Sequence, residues 1–301
     1  MAKIFLTNAT GYIGSAVAQL AREQGHEVTA LARSQESAAR LQEHGIKPHA
    51  GDLKQPDTFV NVVNQYDVVI HTAADYTGDF PGTDRKTTEA ILGALKGTNK
   101  QFIYTSGIWL LGNTGDKPAT EESPTAPFPG LEWRVEVEKH VLEANKNGVK
   151  AVVVRPAIVY GRGGGLFGSL YQQAKRDGEV KTVGEGNNRF SVVHIDDVAR
   201  LYVAIVEKAP ANVILHATSA KPIRQREVAE LIAKQAGVPG KVRALPVNDA
   251  RGEIGIFADG LQLDQHIESP KSKQVLGWEP KAAEPAQELA HAPKQPAASV
   301  K

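Results

Sequence analysis

The sequence predicts an α/β fold, a doubly wound parallel sheet followed by a smaller C-terminal lobe. Three observations carry this. Short apolar runs alternate with helical periodicity through roughly the first half of the chain. Asp67-Val68-Val69-Ile70 and Ala151-Val152-Val153-Val154 are nearly continuous in apolar residues, as strands covered on both faces are. The first strand runs through a glycine-bearing turn directly into a helix.

Taken in order, Lys3-Ile4-Phe5-Leu6-Thr7 reads as the first strand. Ile13, Val17 and Leu20 then repeat at helical spacing up to Gln24-Gly25. Val28-Thr29-Ala30-Leu31-Ala32 is the second strand, closed by Arg33. A helix rich in Ala, Gln and Arg spans about 35–44, and Ile46-Lys47-Pro48-His49 follows. After the strand at 67–70 comes a helix over roughly 83–96, then the strand Phe102-Ile103-Tyr104-Thr105. A loop rich in Gly, Pro and Thr covers about 112–130. The next helix carries Val135, Val137, Val141 and Leu142 and precedes the strand at 151–155. From Pro156 the pattern loosens through the flexible break Gly161-Arg162-Gly163-Gly164-Gly165. Helices near 166–177, 195–208 and 225–236 alternate with short strands near 180–183, 189–193, 213–216 and 241–245. The expected division is a dinucleotide-binding domain over 1–160 with parts of 190–217, a substrate lobe over 161–280, and a disordered tail over 281–301. That tail is rich in Ala, Pro, Glu, Gln and Lys.

Composition narrows the function classes. The 301 residues are 41% hydrophobic and 23% charged, with a formal net charge of +1. No basic field suggests nucleic acid, and no cationic amphipathic run suggests a membrane. Cysteine is absent, which excludes thiol catalysis, disulfides and cysteine-ligated metals. No apolar run reaches the roughly 18 residues of a spanning helix, and no signal-peptide pattern is seen, so a cytoplasmic protein is expected.

The turn Asn8-Ala9-Thr10-Gly11-Tyr12-Ile13-Gly14 names a ligand. Backbone N–H groups at the start of a helix, together with the helix dipole, favour a pyrophosphate. Gly11 permits close approach of the backbone, and Gly14 permits tight packing of helix on sheet. Asn8 replaces the first glycine of the G-x-x-G-x-x-G pattern, a change its tolerance of left-handed angles allows. This is the layout of a Rossmann-type dinucleotide site. At the end of the second strand, where an acidic residue would bind the ribose 2′-hydroxyl of NAD, stand Ala32 and then Arg33-Ser34. A guanidinium grips a phosphate through two donors, so NADP(H) is favoured over NAD(H). The plainer alternative makes Arg33 a solvated surface charge.

Six further motifs stand in a telling order: Gly51-Asp52-Leu53, His71-Thr72-Ala73-Ala74, Tyr104-Thr105-Ser106, Arg155-Pro156-x-x-Val159-Tyr160-Gly161, Val193-His194-Ile195-Asp196-Asp197-Val198-Ala199 and Leu276-Gly277-Trp278-x-Pro280. With the phosphate loop they resemble the extended short-chain dehydrogenase/reductase superfamily, which includes nucleotide-sugar epimerases and dehydratases, over residues 1 to about 280. The resemblance implies cofactor contacts from Thr10, Gly11, Tyr12, Ile13 and Gly14, from Arg33 and Ser34, and from Thr105. It implies that Asp52 and Leu53 meet the adenine end, that Ala73 and Ala74 line the nicotinamide-ribose side, and that Pro156 and Ile158 offer backbone groups to the carboxamide. His194 and Asp197 read best as a cap and packing device for the helix they open.

Members of that superfamily carry a Tyr-x-x-x-Lys pair on one helix face, the lysine lowering the tyrosine pKa and holding the ribose. This chain departs from that pattern. Counting back from Glu138 puts the tyrosine position at Gly130 and the lysine position at Arg134, and no tyrosine lies between Tyr104 and Tyr160. The chain therefore resembles an atypical member with a rebuilt catalytic site. Arg134 keeps half of the lysine's role, bonding the cofactor ribose hydroxyls and supplying positive charge, but is no proton shuttle; its bland alternative is a surface arginine paired with Glu138 one turn on. Ser106 is the candidate to orient a substrate carbonyl, or else a satisfied strand-end hydroxyl. Tyr76 is the candidate replacement acid. Trp109 and Trp133 wall the pocket or simply pack.

The reading is an NADP(H)-dependent oxidoreductase moving a hydride between nicotinamide C4 and a small carbonyl or alcohol. Two alternatives stand beside it: a non-catalytic NADP(H)-binding sensor or scaffold, and a nucleotide-sugar epimerase- or dehydratase-like enzyme in which Arg189 and Arg162 meet a phosphate. The expected partners are a small-molecule substrate and a second copy in a homodimer, with neither nucleic acid nor membrane. No metal is expected.

Overall fold

A computed structural model describes residues 1–74, 78–219 and 221–290. The first half builds β1 (Lys3–Leu6), α1 (Tyr12–Glu23), β2 (Glu27–Ala32), α2 (Gln35–Glu43), β3 (Lys47–Ala50), α3 (Val60–Val63), β4 (Val68–His71), α4 (Phe80–Leu95), β5 (Gln101–Thr105), α5 (Glu132–Glu143) and β6 (Lys150–Pro156). The second half continues with β7 (Ile158–Tyr160), α6 (Gly165–Asp177), β8 (Val180–Val183), β9 (Arg189–Phe190), β10 (Val192–His194), α7 (Ile195–Lys208) and β11 (Val213–Ala217). It closes with β12 (Ile223–Arg224), α8 (Gln225–Gln235), β13 (Val242–Leu245), α9 (Val247–Ile254), α10 (Phe257–Leu261), α11 (Pro270–Leu276) and α12 (Pro285–Leu289).

The Rossmann-type doubly wound sheet is present. Seven parallel strands lie in the order β11-β6-β5-β4-β1-β2-β3. The order reverses between β1 and β4, which opens a crevice at the carboxyl ends of those strands. Each face has its own core. On one face Ala16, Val17 and Ala21 of α1 and Val198, Leu201 and Ile205 of α7 are buried against strand residues such as Ile4, Ile70 and Val152. On the other, Ile91 and Leu95 of α4 and Val137 and Val141 of α5 meet Phe5, Val69, Phe102 and Val153. Burying each large aliphatic side chain stabilises the fold by roughly 1.5–3 kcal/mol. A third cluster, with Tyr160, Phe167, Val180, Phe190, Val228 and Ile232, is the core of the second lobe.

The local reasons are visible in the sequence. Ser34 caps α2 by accepting from the Ser37 N–H at 3.1 Å, with Ser37 returning the bond to Ser34. His194 caps α7 by accepting from the Asp196 N–H at 3.2 Å, as its cap reading expects. Asp197 is buried, pairs with Arg200, and accepts from the backbone of Lys281 and Ala282 at 3.0 and 3.1 Å.

Three expectations need correcting. Residues 281–290 are not disordered tail: Tyr160 donates to the Ala283 carbonyl at 2.7 Å, and Pro285 and Leu289 of α12 are buried. The Ala- and Pro-rich composition hid anchors supplied by Asp197 and Tyr160, more than 80 residues away in sequence. Residues 291–301 lie outside the described residues. The strand expected at 189–193 splits at Ser191, because β9 pairs with β12 and β10 pairs with β7. The run 161–165, read as a flexible break, packs closely. A Cβ on Gly164 would stand 2.4 Å from the Tyr12 ring, and one on Gly161 would stand 2.2 Å from His194 Nε2.

Candidate active site

Two clefts lie near the start of α1, one lined by Thr10 and Gly11 and the other by Ile13. The outer one, of about 350 Å³, collects Thr10, Gly11, Arg33 and Ser34 from the ends of β1 and β2. Asp52, Leu53, Ala73 and Ala74 close it from the ends of β3 and β4. Arg33 is exposed at its rim beside Arg40 of α2. Asp52 holds its own turn by accepting from the Lys54 N–H at 2.9 Å. The hydroxyl of Ser34 is engaged in its helix cap, leaving little of that side chain for a ligand.

At the start of α1, Gly11 is the N-cap residue and brings no side-chain acceptor, so the N–H groups of the first turn are open to an anion. Gly14 is required for a different reason than its neighbour. A Cβ there would lie 1.7 Å from the Asn8 carbonyl oxygen and 2.9 Å from Thr72 Oγ1. The Tyr12 side chain is turned to the second lobe. Its hydroxyl donates to the Gly161 carbonyl at 2.7 Å, bolting α1 to the second lobe. Burial, with Glu288 and Asp196 nearby, pushes that hydroxyl far above the usual tyrosine range.

The inner cleft, of about 540 Å³, brings together Ile13, Ser106, Arg134, Pro156 and Ile158. Gly130 lines it too, so the two positions where the Tyr and Lys would stand face one space. Ser106 is held by its own N–H, which donates to the Val154 carbonyl at 2.7 Å. Its hydroxyl is buried and without a hydrogen-bond partner among the described residues. Leaving a buried hydroxyl unmatched costs about 1–3 kcal/mol, so this is not the satisfied strand-end group of the alternative reading.

Arg134 is half-buried, with its guanidinium carbon 5.2 Å from the Phe80 ring centroid and 4.7 Å from that of Trp133. Its Nη1 donates to the Thr105 carbonyl at 3.4 Å. The pairing with Glu138 does not form. Glu138 faces the sheet and holds Arg155 instead, with Arg155 Nε at 2.9 and 3.2 Å from its two carboxylate oxygens. The Thr105 hydroxyl is hydrogen-bonded to the Tyr202 hydroxyl of α7 at 2.6 Å. Tyr76 lies outside the described residues.

Beneath this floor runs a buried polar chain that sequence reasoning missed. Thr7 Oγ1 stands 3.0 Å from His71 Nδ1, and His71 Nε2 stands 3.2 Å from Asp84 Oδ1. Tyr104 donates to Asp84 Oδ2 at 2.6 Å. Burial pulls the Asp84 carboxyl up, but the bond from His71 and the charges of His71 and Arg134 outweigh it and hold the carboxyl below its usual range. Burial drives the Tyr104 hydroxyl well above ordinary tyrosine, so it serves as a fixed donor to Asp84. The sequence carried no sign of this chain, because Asp84 stands among Thr83, Arg85, Lys86, Thr87 and Thr88.

The apolar wall of the inner cleft was only partly legible. Trp109 and Trp133 do line it, and they are joined by Phe80, Phe128, Ile256 and Phe257. The run Ile254-Gly255-Ile256-Phe257, too dense for a surface turn, was the available sign.

Comparison with known proteins agrees with this architecture. The sequence model of the NAD dependent epimerase/dehydratase family matches residues 4–215. An uncharacterised protein of Schizosaccharomyces pombe is 36% identical over 288 residues, covering 92% of this chain and 95% of the relative. The 4-hydroxy-2-methyl-3-oxo-4-farnesyl-3,4-dihydroquinoline-1-oxide ketoreductase of Stigmatella aurantiaca is 27% identical over 259 residues, covering 83% of this chain and 78% of its own. The crystal structure of dTDP-glucose 4,6-dehydratase from Bacillus anthracis in complex with NAD superposes with a TM-score of 0.80 at 18% identity, over 96% of each chain.

Proposed function

The chain belongs to the NAD dependent epimerase/dehydratase family, and from that premise we propose that it is an NADP(H)-dependent oxidoreductase acting on a small carbonyl or alcohol. The single observation that carries this reading is the Ser106 hydroxyl, buried, unpartnered and sharing a cleft with the Arg134 guanidinium. The likeness to a ketoreductase supports the same direction of chemistry.

The residues fit a dinucleotide. The uncapped first turn of α1 would offer its N–H groups to a pyrophosphate, and Gly11 and Gly14 let Asn8 pack closely against that turn. Asp52, Leu53 and Arg33 would hold the adenosine end, with Arg33 selecting a 2′-phosphate. Ala73 and Ala74 would line the ribose, and Pro156 and Ile158 the carboxamide. A nicotinamide bound there supplies or accepts the hydride at C4.

The protein's own residues do the rest. Ser106 donates a hydrogen bond to the substrate oxygen, an interaction its unpartnered hydroxyl is ready to make. Arg134 stabilises the negative charge that grows on that oxygen. The guanidinium does not release a proton at any working pH, so the final proton comes from water at the mouth of the cleft. The apolar walls keep other water away and strengthen both interactions.

The test is oxidation of NADPH by the purified protein over a panel of ketones and aldehydes, followed by nicotinamide absorbance. Turnover with NADPH is expected. Arg33→Ala should raise the KM for NADPH about tenfold or more, which corresponds to one lost charge-assisted contact, with a smaller effect on NADH. Cofactor binding with no turnover on any carbonyl would overturn the enzyme reading in favour of a sensor or scaffold.

A further inference from the structure

Among the described residues lining the inner cleft, Arg134 is the one charged side chain and Ser106 the one hydroxyl. The remainder of the wall is apolar, and much of it aromatic. Trp109 stands 6.3 Å from Phe128 and meets Phe257 edge-on at 5.9 Å, and Phe80 meets Trp133 edge-on at 5.2 Å. These two groups of rings come from α4, α5, the loop after β5 and the second lobe.

The second lobe's share is unusual. Of the large apolar side chains exposed among the described residues, Ile254, Ile256 and Phe257 fall within four positions, at 41%, 44% and 36% exposure. All three border this cleft. Scattered exposed hydrophobic residues need no explanation, but a cluster on a cleft rim marks a ligand surface. The segment is seated by design: a Cβ on Gly260 would stand 2.5 Å from the Trp109 indole. A Cβ on Gly130 would stand 3.1 Å from Ile256 Cδ1, so the space where a tyrosine would have stood is bounded by an aliphatic side chain.

The charges that a nucleotide diphosphate would need are committed elsewhere. Arg189 is paired with Asp264 at 2.6 and 2.9 Å and donates to the Gly115 carbonyl at 2.6 Å. Arg162 is paired with Asp196 at 2.7 Å.

We propose that the substrate is a ketone carrying a fused or bulky apolar ring system, with the carbonyl directed to Ser106 and Arg134 and the ring held between the Trp109–Phe257 and Phe80–Trp133 pairs. Residues 254–257 are the specificity-determining lip. This rests on the oxidoreductase reading above for the carbonyl end. The ring site stands on the aromatic wall and the exposed lip.

The test uses the full chain with saturating NADP⁺ or NADPH. Isothermal titration calorimetry compares α-tetralone, butanone and UDP-glucose as ligands of the NADP⁺ complex. NADPH oxidation compares kcat/KM for α-tetralone and butanone. Binding and kcat/KM for α-tetralone are expected to exceed those for butanone by at least about tenfold, with UDP-glucose not bound. Ile256→Ser and Phe257→Ser, at exposed positions the fold tolerates, should each lower the α-tetralone to butanone ratio by about threefold or more, chiefly through KM. If α-tetralone binds but no ketone is reduced, the oxidoreductase reading falls and the ring site stands. If butanone is reduced as well as α-tetralone and α-tetralone binds no more tightly, the ring site falls and the oxidoreductase reading stands. UDP-glucose binding as tight as α-tetralone also overturns the proposal.

Discussion

The Arg134 guanidinium lies 5.2 Å from the ring centroid of Phe80, joining α5 to the first residue of α4 across the inner cleft. The same guanidinium carbon lies 4.7 Å from the Trp133 centroid, so both rings offer it cation–π attraction while its Nη1 donates to the Thr105 carbonyl. Arg134→Ala is expected to lower kcat/KM for ketone reduction about 10- to 100-fold, the loss of one charged interaction. Arg134→Lys restores charge without the stacking and should recover only part. Steady-state kinetics with both variants checks this. An alanine variant with unchanged kcat/KM would remove Arg134 from the proposed site.

Gly14 and Gly93 make a controlled pair. The Cβ of Gly14→Ala would meet the Asn8 carbonyl oxygen at 1.7 Å, a backbone atom that cannot step aside without moving the phosphate loop. This variant should weaken NADPH binding about tenfold or more and cost about 1–3 kcal/mol of stability. Gly93, inside α4, has nothing within 4 Å of its would-be Cβ. Gly93→Ala should be neutral or stabilise by up to about 1 kcal/mol. Calorimetric binding and denaturant midpoints separate the two.

Glu138 and Arg155 are both 2% exposed and bridge α5 to β6. Removing one partner leaves the other charge buried and unmatched. Glu138→Gln or Arg155→Met alone is therefore expected to cost about 3–5 kcal/mol, while Glu138→Leu with Arg155→Met should recover much of that loss. Equilibrium unfolding of the three variants measures it. Equal losses in the single and double variants would mean that packing, and not charge, dominates at this contact.

His216 of β11 is fully buried, its Nδ1 3.0 Å from the Glu268 carbonyl oxygen and its Nε2 without a partner among the described residues. Burial pushes its pKa down to about 3 from the model-compound value of 6.5. The unfolded chain thus binds a proton between those values that the folded chain refuses. Stability is complete above about pH 6.5 and falls as pH drops, by up to about 1.4 kcal/mol per pH unit from this group. Urea titrations between these limits should show a smaller slope in His216→Gln than in the natural chain. An identical slope would assign the acid sensitivity to other groups.

Short-range patterns carried much of this protein. The glycine turn at 8–14, the apolar runs of β4 and β6, and the cap at His194 are local interactions, and they were legible because backbone geometry and periodicity are written in neighbouring residues. Much of the clefts' membership followed from strand ends, which is why Arg33, Asp52, Ala73 and Ser106 reach them, while Arg134 comes from the first turn of α5. Side-chain partnerships were less legible. Arg134 has its expected partner Glu138 one turn away, yet Glu138 is claimed by Arg155, and Thr105 is claimed by Tyr202. Such choices depend on which groups the fold buries together.

The sequence by itself determined the sheet, the glycine-bearing turn after β1 and the residue types at positions 130 and 134, since each is a matter of residue type at short spacing. Only the tertiary structure decided what surrounds those two positions. It left the Ser106 hydroxyl without a partner among the described residues, set Arg134 beside the Phe80 and Trp133 rings, and carried Ile256 beside Gly130 across more than a hundred residues. The same long-range packing ordered residues 281–290 on Asp197 and Tyr160. The physical reason is common to all of these: burial is cooperative, so which polar groups are matched and which apolar walls face each other is settled only when both lobes close.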